Sequence, residues 1–209
     1  MSESSIDLAP SMIRSVLNRQ KTQVRSILQH GDHHPDHCVT KDGTAILRNR
    51  ATGMRQDIPL PYACGDHLYL REPHYVERAG YRDGTGRFIH YRASDPEAPV
   101  SEWTPSSDMP SWASRLTLIV TSVRVQRLQD ISREDAIAEG LIHKAGVIEP
   151  DWWMLPEPHH QGTWLSPLAA YQWLWNDLNT APGSRWDNNP WVTAISFETR
   201  HQSIDTLKR

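Results

Sequence analysis

The chain has 209 residues and a formal charge of −3, with 22 Lys and Arg against 25 Asp and Glu. That length can bury a core unaided by staples, and the net negative charge excludes a protein that coats nucleic acid through bulk positive charge. A local basic pocket is still compatible with it. Only four of the cations are lysines, Lys21, Lys41, Lys144 and Lys208; the rest are arginines, suited to planar recognition of phosphates and base edges, though genomic base composition produces the same bias. Two cysteines, Cys38 and Cys64, and no apolar run near the length of a membrane span point to free thiols and a soluble, cytoplasmic protein.

In chain order, Ser11 is a candidate N-cap for a helix carrying Ile13, Val16 and Leu17 at helical spacing. That helix is expected to stop near Asn18, a residue tolerant of the left-handed conformation. From Lys21 the period changes to two, with Thr22, Val24 and Ser26 on one side and Gln23, Arg25 and Ile27 on the other. Lys21 therefore stands where helix hands over to strand. Residues 29–43 lack apolar periodicity and read as a surface loop, after which 45–50 and 55–60 flank Thr52-Gly53 as a hairpin. A strand bearing Leu68 and Leu70 comes next, and the Gly-, Pro- and Ser-rich stretch 78–112 reads as an insertion of short strands and loops.

Residues 116–125, "LTLIVTSVRV", give the strongest strand signal, being largely β-branched. Ser132 and Asp135 then form an S-x-x-D capping box, and Gly140 stops the short helix they open. Glu139 lies in the last turn of that helix, where a carboxylate opposes the helix dipole, which suggests another partner. A Trp-, Pro- and His-bearing insertion covers 142–165. Ser166-Pro167 opens a helix with Tyr171, Leu174, Trp175 and Leu178 on one face, and 191–197 forms a last strand. This order suggests an α+β fold, a small mixed or antiparallel barrel with helices at its ends.

Two side-chain groups invite chemistry. His30, His33, His34, His37 and Cys38 hold soft ligands, but no second Cys/His pair stands at finger-like spacing and Pro35 breaks any helix joining His33 to His37. They read as a solvated loop, as do His159 and His160, so no metal and no cofactor is expected. The nine tryptophans are read mainly as fasteners of core and insertions, with one or two of Trp103, Trp112, Trp152, Trp153 and Trp164 as stacking platforms at a pocket mouth.

Four separated segments, "VLNRQKTQVRS", "CGDHLYLRE", "MPSWASRLTLIVTSVRVQRLQDISREDAIAEGL" and "RWDNNPWVTAISFE", together resemble the ASCH family, particularly its longer phage- and prophage-associated members. The resemblance implies a single PUA-like domain over 1–209, a barrel elaborated by insertions at about 29–57, 73–102 and 142–165. It also implies recognition of RNA or a modified base. Some ASCH proteins are amidohydrolases that remove the acyl group from N4-acetylcytidine, and others have been linked to ribonuclease activity.

The amidohydrolase motif resembles G-x-K-T-x-T-x-R, with the lysine, the second threonine and a later helical glutamate as its catalytic set. In this chain Lys21 matches the lysine, Thr22 the first threonine, Arg25 the arginine and Glu139 the glutamate. Arg19 stands at the glycine, Gln20 where arginine is usual, and Val24 at the second threonine. The resemblance thus implies a pocket between the first helix and the 132–139 helix, in which Lys21 acts as base or nucleophile with Glu139 and Thr22. Arg25, Arg71, Glu72 and Arg115 would hold a phosphate or a pyrimidine edge. Strand-end salt bridging is the other use open to Arg71, Glu72 and Arg115. The partner would be RNA or a nucleoside or nucleotide, with no membrane. A non-catalytic RNA- or base-binding module and a phage accessory protein that binds another protein are the alternatives.

Overall fold

The computed structural model describes residues 3–30, 35–78, 87–146, 151–156 and 162–207. In chain order it contains β1 (Glu3–Asp7), α1 (Pro10–Leu17), β2 (Gln23–Ile27), β3 (His37–Lys41), β4 (Thr44–Arg48) and β5 (Arg55–Pro59). Next come β6 (His67–Arg71), β7 (His74–Arg78), β8 (Arg87–Tyr91), β9 (Thr117–Arg127), α2 (Arg133–Ala138) and β10 (Ile142–Lys144). The last elements are β11 (Trp152–Met154), α3 (Pro167–Leu178), β12 (Trp191–Arg200) and α4 (Ile204–Leu207). The architecture is α+β, mostly strands in several sheets with few helices. Among the described residues no sheet closes on itself, so the expected barrel is not formed. The strands of the insertions pair within their own hairpins, β3–β4–β5, β7–β8 and β10–β11. These hairpins form separate sheets and so do not extend the five-stranded sheet toward closure.

The chain divides into two compact units. The first comprises Met1–Arg19, Asp66–Ile119 and Thr199–Arg209. Here β1 runs parallel to β6, with Ile6 opposite Leu70, and β6 is antiparallel to the start of β9, with Leu68 opposite Leu118. These apolar side chains are buried, as are Ile13 and Val16 of α1. Helix α1 begins earlier than Ser11 predicts: Ala9 is its cap and Pro10 its first residue, where a missing N–H costs nothing. Ser11 is buried inside the helix.

The second unit comprises Gln20–Gly65 and Val120–Glu198. Strand β12 pairs antiparallel with β2, placing Ala194 opposite Arg25 and Ile195 opposite Val24, and β9 is its neighbour on the other side. Strand β3 occupies part of the segment read as loop. Period two runs for only a few residues there, and the strand is held by a partner downstream in the chain. Cys38, opposite Leu47, points inward to a core of Leu28, Ala45, Leu47 and Trp191. Helix α2 opens as its sequence predicts, with Ser132 Oγ accepting the Asp135 N–H at 3.1 Å, and Gly140, at φ 103°, follows its C-cap. Helix α3 packs against α2 and β11, burying Ala170, Tyr171, Leu174 and Trp175 but leaving Leu178 exposed.

Candidate functional site

The second unit gathers a set of charged side chains away from water. Lys21, just before β2, and Glu139, the C-cap of α2, form an isolated antiparallel bridge, tied further by the Thr22 N–H donating to Ala138 O at 2.9 Å. Lys21 Nζ donates to Glu139 Oε2 at 2.7 Å and to Glu139 O at 2.9 Å. Both residues are 3 % exposed. The main-chain carbonyl explains how a carboxylate is tolerated at this helix end: the ammonium caps the terminus and the side chain together.

Glu139 is shared. Its other oxygen, Oε1, accepts from Arg25 Nη1 at 2.7 Å, and Arg25 Nη2 reaches Asp135 Oδ2 at 2.8 Å. Gln23 lies two residues before Arg25 on the same strand face. It accepts from Arg25 Nη1 and donates to Asp135 Oδ1 at 3.1 Å and Ser196 Oγ at 2.9 Å. Arg124 adds a bond to Asp135 Oδ2 at 2.9 Å. Asp135 thus gives its backbone N–H to the Ser132 cap while its carboxylate serves Gln23, Arg25 and Arg124. Burial pushes that carboxyl up, but the bonds from Gln23 and Arg124 and the charges of Arg25 and Arg124 outweigh it and hold it below the usual aspartate value. Tyr171 of α3 completes the set: the Arg25 guanidinium carbon lies 6.0 Å from its ring centre. Burial, then the negative charge of Glu139, drive its hydroxyl well above the ordinary tyrosine range.

Lys21, Arg25 and Glu139 are therefore brought together. Thr22 follows Lys21 in the chain with its side chain exposed, and its backbone carbonyl accepts from the Phe197 N–H at 2.9 Å. Counted strictly along the motif, the arginine falls at Ser26; Arg25 meets it only with a shift of one residue, which on a strand changes the face. The face Arg25 occupies is the one that meets Glu139. Arg19, at the motif's glycine, has φ 58°, a backbone setting glycine adopts freely and arginine does not. The left-handed residue expected at Asn18 is thus Arg19 instead.

The remaining predicted residues form two pairs in the first unit. Arg71 bonds both oxygens of Asp7, through Nε at 3.2 Å and through Nη2, and donates to Ser107 O. Glu72, fully buried, takes a bidentate contact from Arg115 at 2.8 and 2.9 Å, and the Arg115 guanidinium lies 4.1 Å from the centre of the Tyr91 ring. Each of these two arginines is engaged by a carboxylate. Gln23, Asp135, Arg124 and Tyr171 were not foreseen, although Asp135 and Glu139 stand four apart and Gln23 and Arg25 two apart, the spacings that put side chains on one helix or strand face.

His33, His34, His159 and His160 lie outside the described residues. His37 and Cys38 are successive residues of β3 and so point to opposite faces, with Cys38 partly buried and its thiol pushed up by burial. They cannot bind one ion together. Both cysteines are free, and no described helix is long and apolar enough to cross a membrane. Compared with known protein families, with curated proteins and with solved structures, the chain matches none.

Proposed function

We propose that the chain is an ASCH protein built on a PUA-like core, which recognises a nucleotide or RNA and removes the acyl group from N4-acylated cytidine. The observation that carries this reading is the contact between Lys21 and Glu139, 118 residues apart in sequence and 2.7 Å apart in space, at the positions that match the motif's lysine and glutamate. The left-handed Arg19 at the motif's glycine supports it. In the reaction Glu139 takes a proton from Lys21, and the neutral amine draws a proton from water as the water oxygen bonds to the acyl carbon. The C–N4 bond breaks, Lys21 returns the proton to the cytosine nitrogen, and acetate and cytidine leave.

A second reading, recognition without turnover, is favoured by Val24. The motif's second hydroxyl is absent, and Val24 is buried opposite Ile195. The two separate by chromatography of N4-acetylcytidine incubated with the purified protein. The enzyme reading requires cytidine to form and Lys21→Ala to abolish it with the fold intact. No turnover across a panel of N4-acylated nucleosides would overturn it, and salt-dependent RNA affinity in its place would establish the binding module.

A further inference from the structure

The Lys21 cluster holds a second carboxylate, Asp135, that the proposed reaction does not use. Arg25 presents two nitrogens of one guanidinium to two different acids, Nη1 to Glu139 Oε1 at 2.7 Å and Nη2 to Asp135 Oδ2 at 2.8 Å. The guanidinium is planar and rigid, so a shift in one of these contacts is passed to the other. The Arg25 side chain is wholly buried and that of Asp135 is 17 % exposed. Asp135 is itself held from three sides. Its backbone N–H is taken by the Ser132 cap, its Oδ1 accepts from the Gln23 amide at 3.1 Å, and its Oδ2 accepts also from Arg124 at 2.9 Å. Arg124 is the outermost of the set, with nearly half of its side chain exposed.

Among the described residues, the charged and titratable groups joined to the Lys21–Glu139 pair come from four elements. Arg25 is on β2, Asp135 on α2 and Arg124 on β9, and Tyr171 of α3 stays neutral because burial and the Glu139 charge drive its hydroxyl up. Lys21 Nζ and Glu139 Oε2 are 2.7 Å apart and can hold one exchangeable proton between them. A cation on Glu139 favours loss of that proton, and a carboxylate behind the cation opposes the loss; both act strongly where water is shut out. Lys21 and Arg25 against Glu139 alone would leave the buried centre with an excess positive charge, which Asp135 offsets. We propose that Asp135 is a positioning residue of this site: through Arg25 it fixes Glu139 Oε1 and balances the guanidinium, and so sets the pH range in which the Lys21–Glu139 pair releases its proton and the amine becomes reactive. This rests on the acyl-hydrolysis reading of the site.

The test is the pH profile of kcat/KM for N4-acetylcytidine, corrected for hydrolysis without protein, in the wild-type chain, Asp135→Asn and Arg124→Gln, each checked for folding by circular dichroism. This ratio reports the ionisation of the free protein. Its rising limb should move to lower pH in Asp135→Asn, by about half a unit or more, because a negative charge near the pair is gone. In Arg124→Gln a positive charge on the far side of Asp135 is gone, so the limb should move to higher pH, and by less because that side chain is partly in water. A carboxylate with only a structural role would change the rate at every pH and leave the limb in place. Should Asp135→Asn fold poorly, the shift in Arg124→Gln decides. No cytidine from the wild type overturns the acyl-hydrolysis reading and this proposal with it. Turnover by the wild type with a limb that the folded variants leave in place, or that both move in the same direction, overturns the proposal alone and leaves the reading standing.

Discussion

Each unit buries one glutamate against arginine, and the two do so differently. Glu72 faces a single guanidinium, oxygen for nitrogen, in a planar pair that lies over Tyr91. Glu139 is divided between Lys21 and Arg25, one oxygen to each. The first arrangement satisfies itself, and Arg115, with about a quarter of its side chain exposed, keeps access to water. The second sets two buried cations on one carboxylate and needs Asp135 at its rim to balance them. A structural lock is best built the first way. A carboxylate shared by a lysine and an arginine holds the lysine amine in place, and the proposed reaction relies on that positioning.

Removing either carboxylate should separate the two clusters by their cost in stability. Glu139→Ala leaves Lys21 and Arg25 buried without their shared partner and should cost about 3–5 kcal/mol, read from denaturant unfolding. Glu72→Ala should cost less, about 1–3 kcal/mol, because Arg115 can turn to solvent. Equal losses, or a larger one at Glu72, would remove the distinction between the two clusters. Ser132→Ala strips the cap that sets the direction of α2, and with it Glu139, for about 1 kcal/mol. Arg19→Gly should move the other way and stabilise by about 1 kcal/mol, since the residue already sits at φ 58°. Destabilisation there would mean that the arginine side chain is needed.

The smallest effect concerns acid. The Asp135 carboxyl is held below its ordinary value of 3.8 in the fold, so it contributes stability above that pH and loses the contribution as pH falls through the lowered value. The stability gap between wild type and Asp135→Asn should therefore be full near neutrality and narrow below about pH 3.8. A gap that does not change with pH would show that the carboxylate's charge is not what holds Gln23, Arg25 and Arg124.

Much of this was legible in the sequence for reasons that can be named. The cap at Ser132, the stop at Gly140 and the β-branched run of β9 are local, and local propensity was enough. The pairing of Lys21 with Glu139 came from the resemblance, supported by a carboxylate at the wrong end of a helix. Strand β3 is not legible in its own residues, because its pairing with β4, not its own pattern, makes it a strand. Of the two uses the sequence leaves open to Arg71, Glu72 and Arg115, the structure shows strand-end salt bridging, Arg71 with Asp7 and Arg115 with Glu72. No periodicity in the sequence shows which carboxylate an arginine will find, and the motif's arginine falls at Ser26, one residue after Arg25.

Side-by-side rates of N4-acetylcytidine hydrolysis by the wild-type chain and by Lys21→Ala, with folding checked by circular dichroism, decide whether Lys21 and Glu139 form a catalytic pair. Cytidine formed by the wild type and slowed by about a hundredfold or more in the variant is the predicted result. Equal rates in the two, or no cytidine from the wild type, would contradict it.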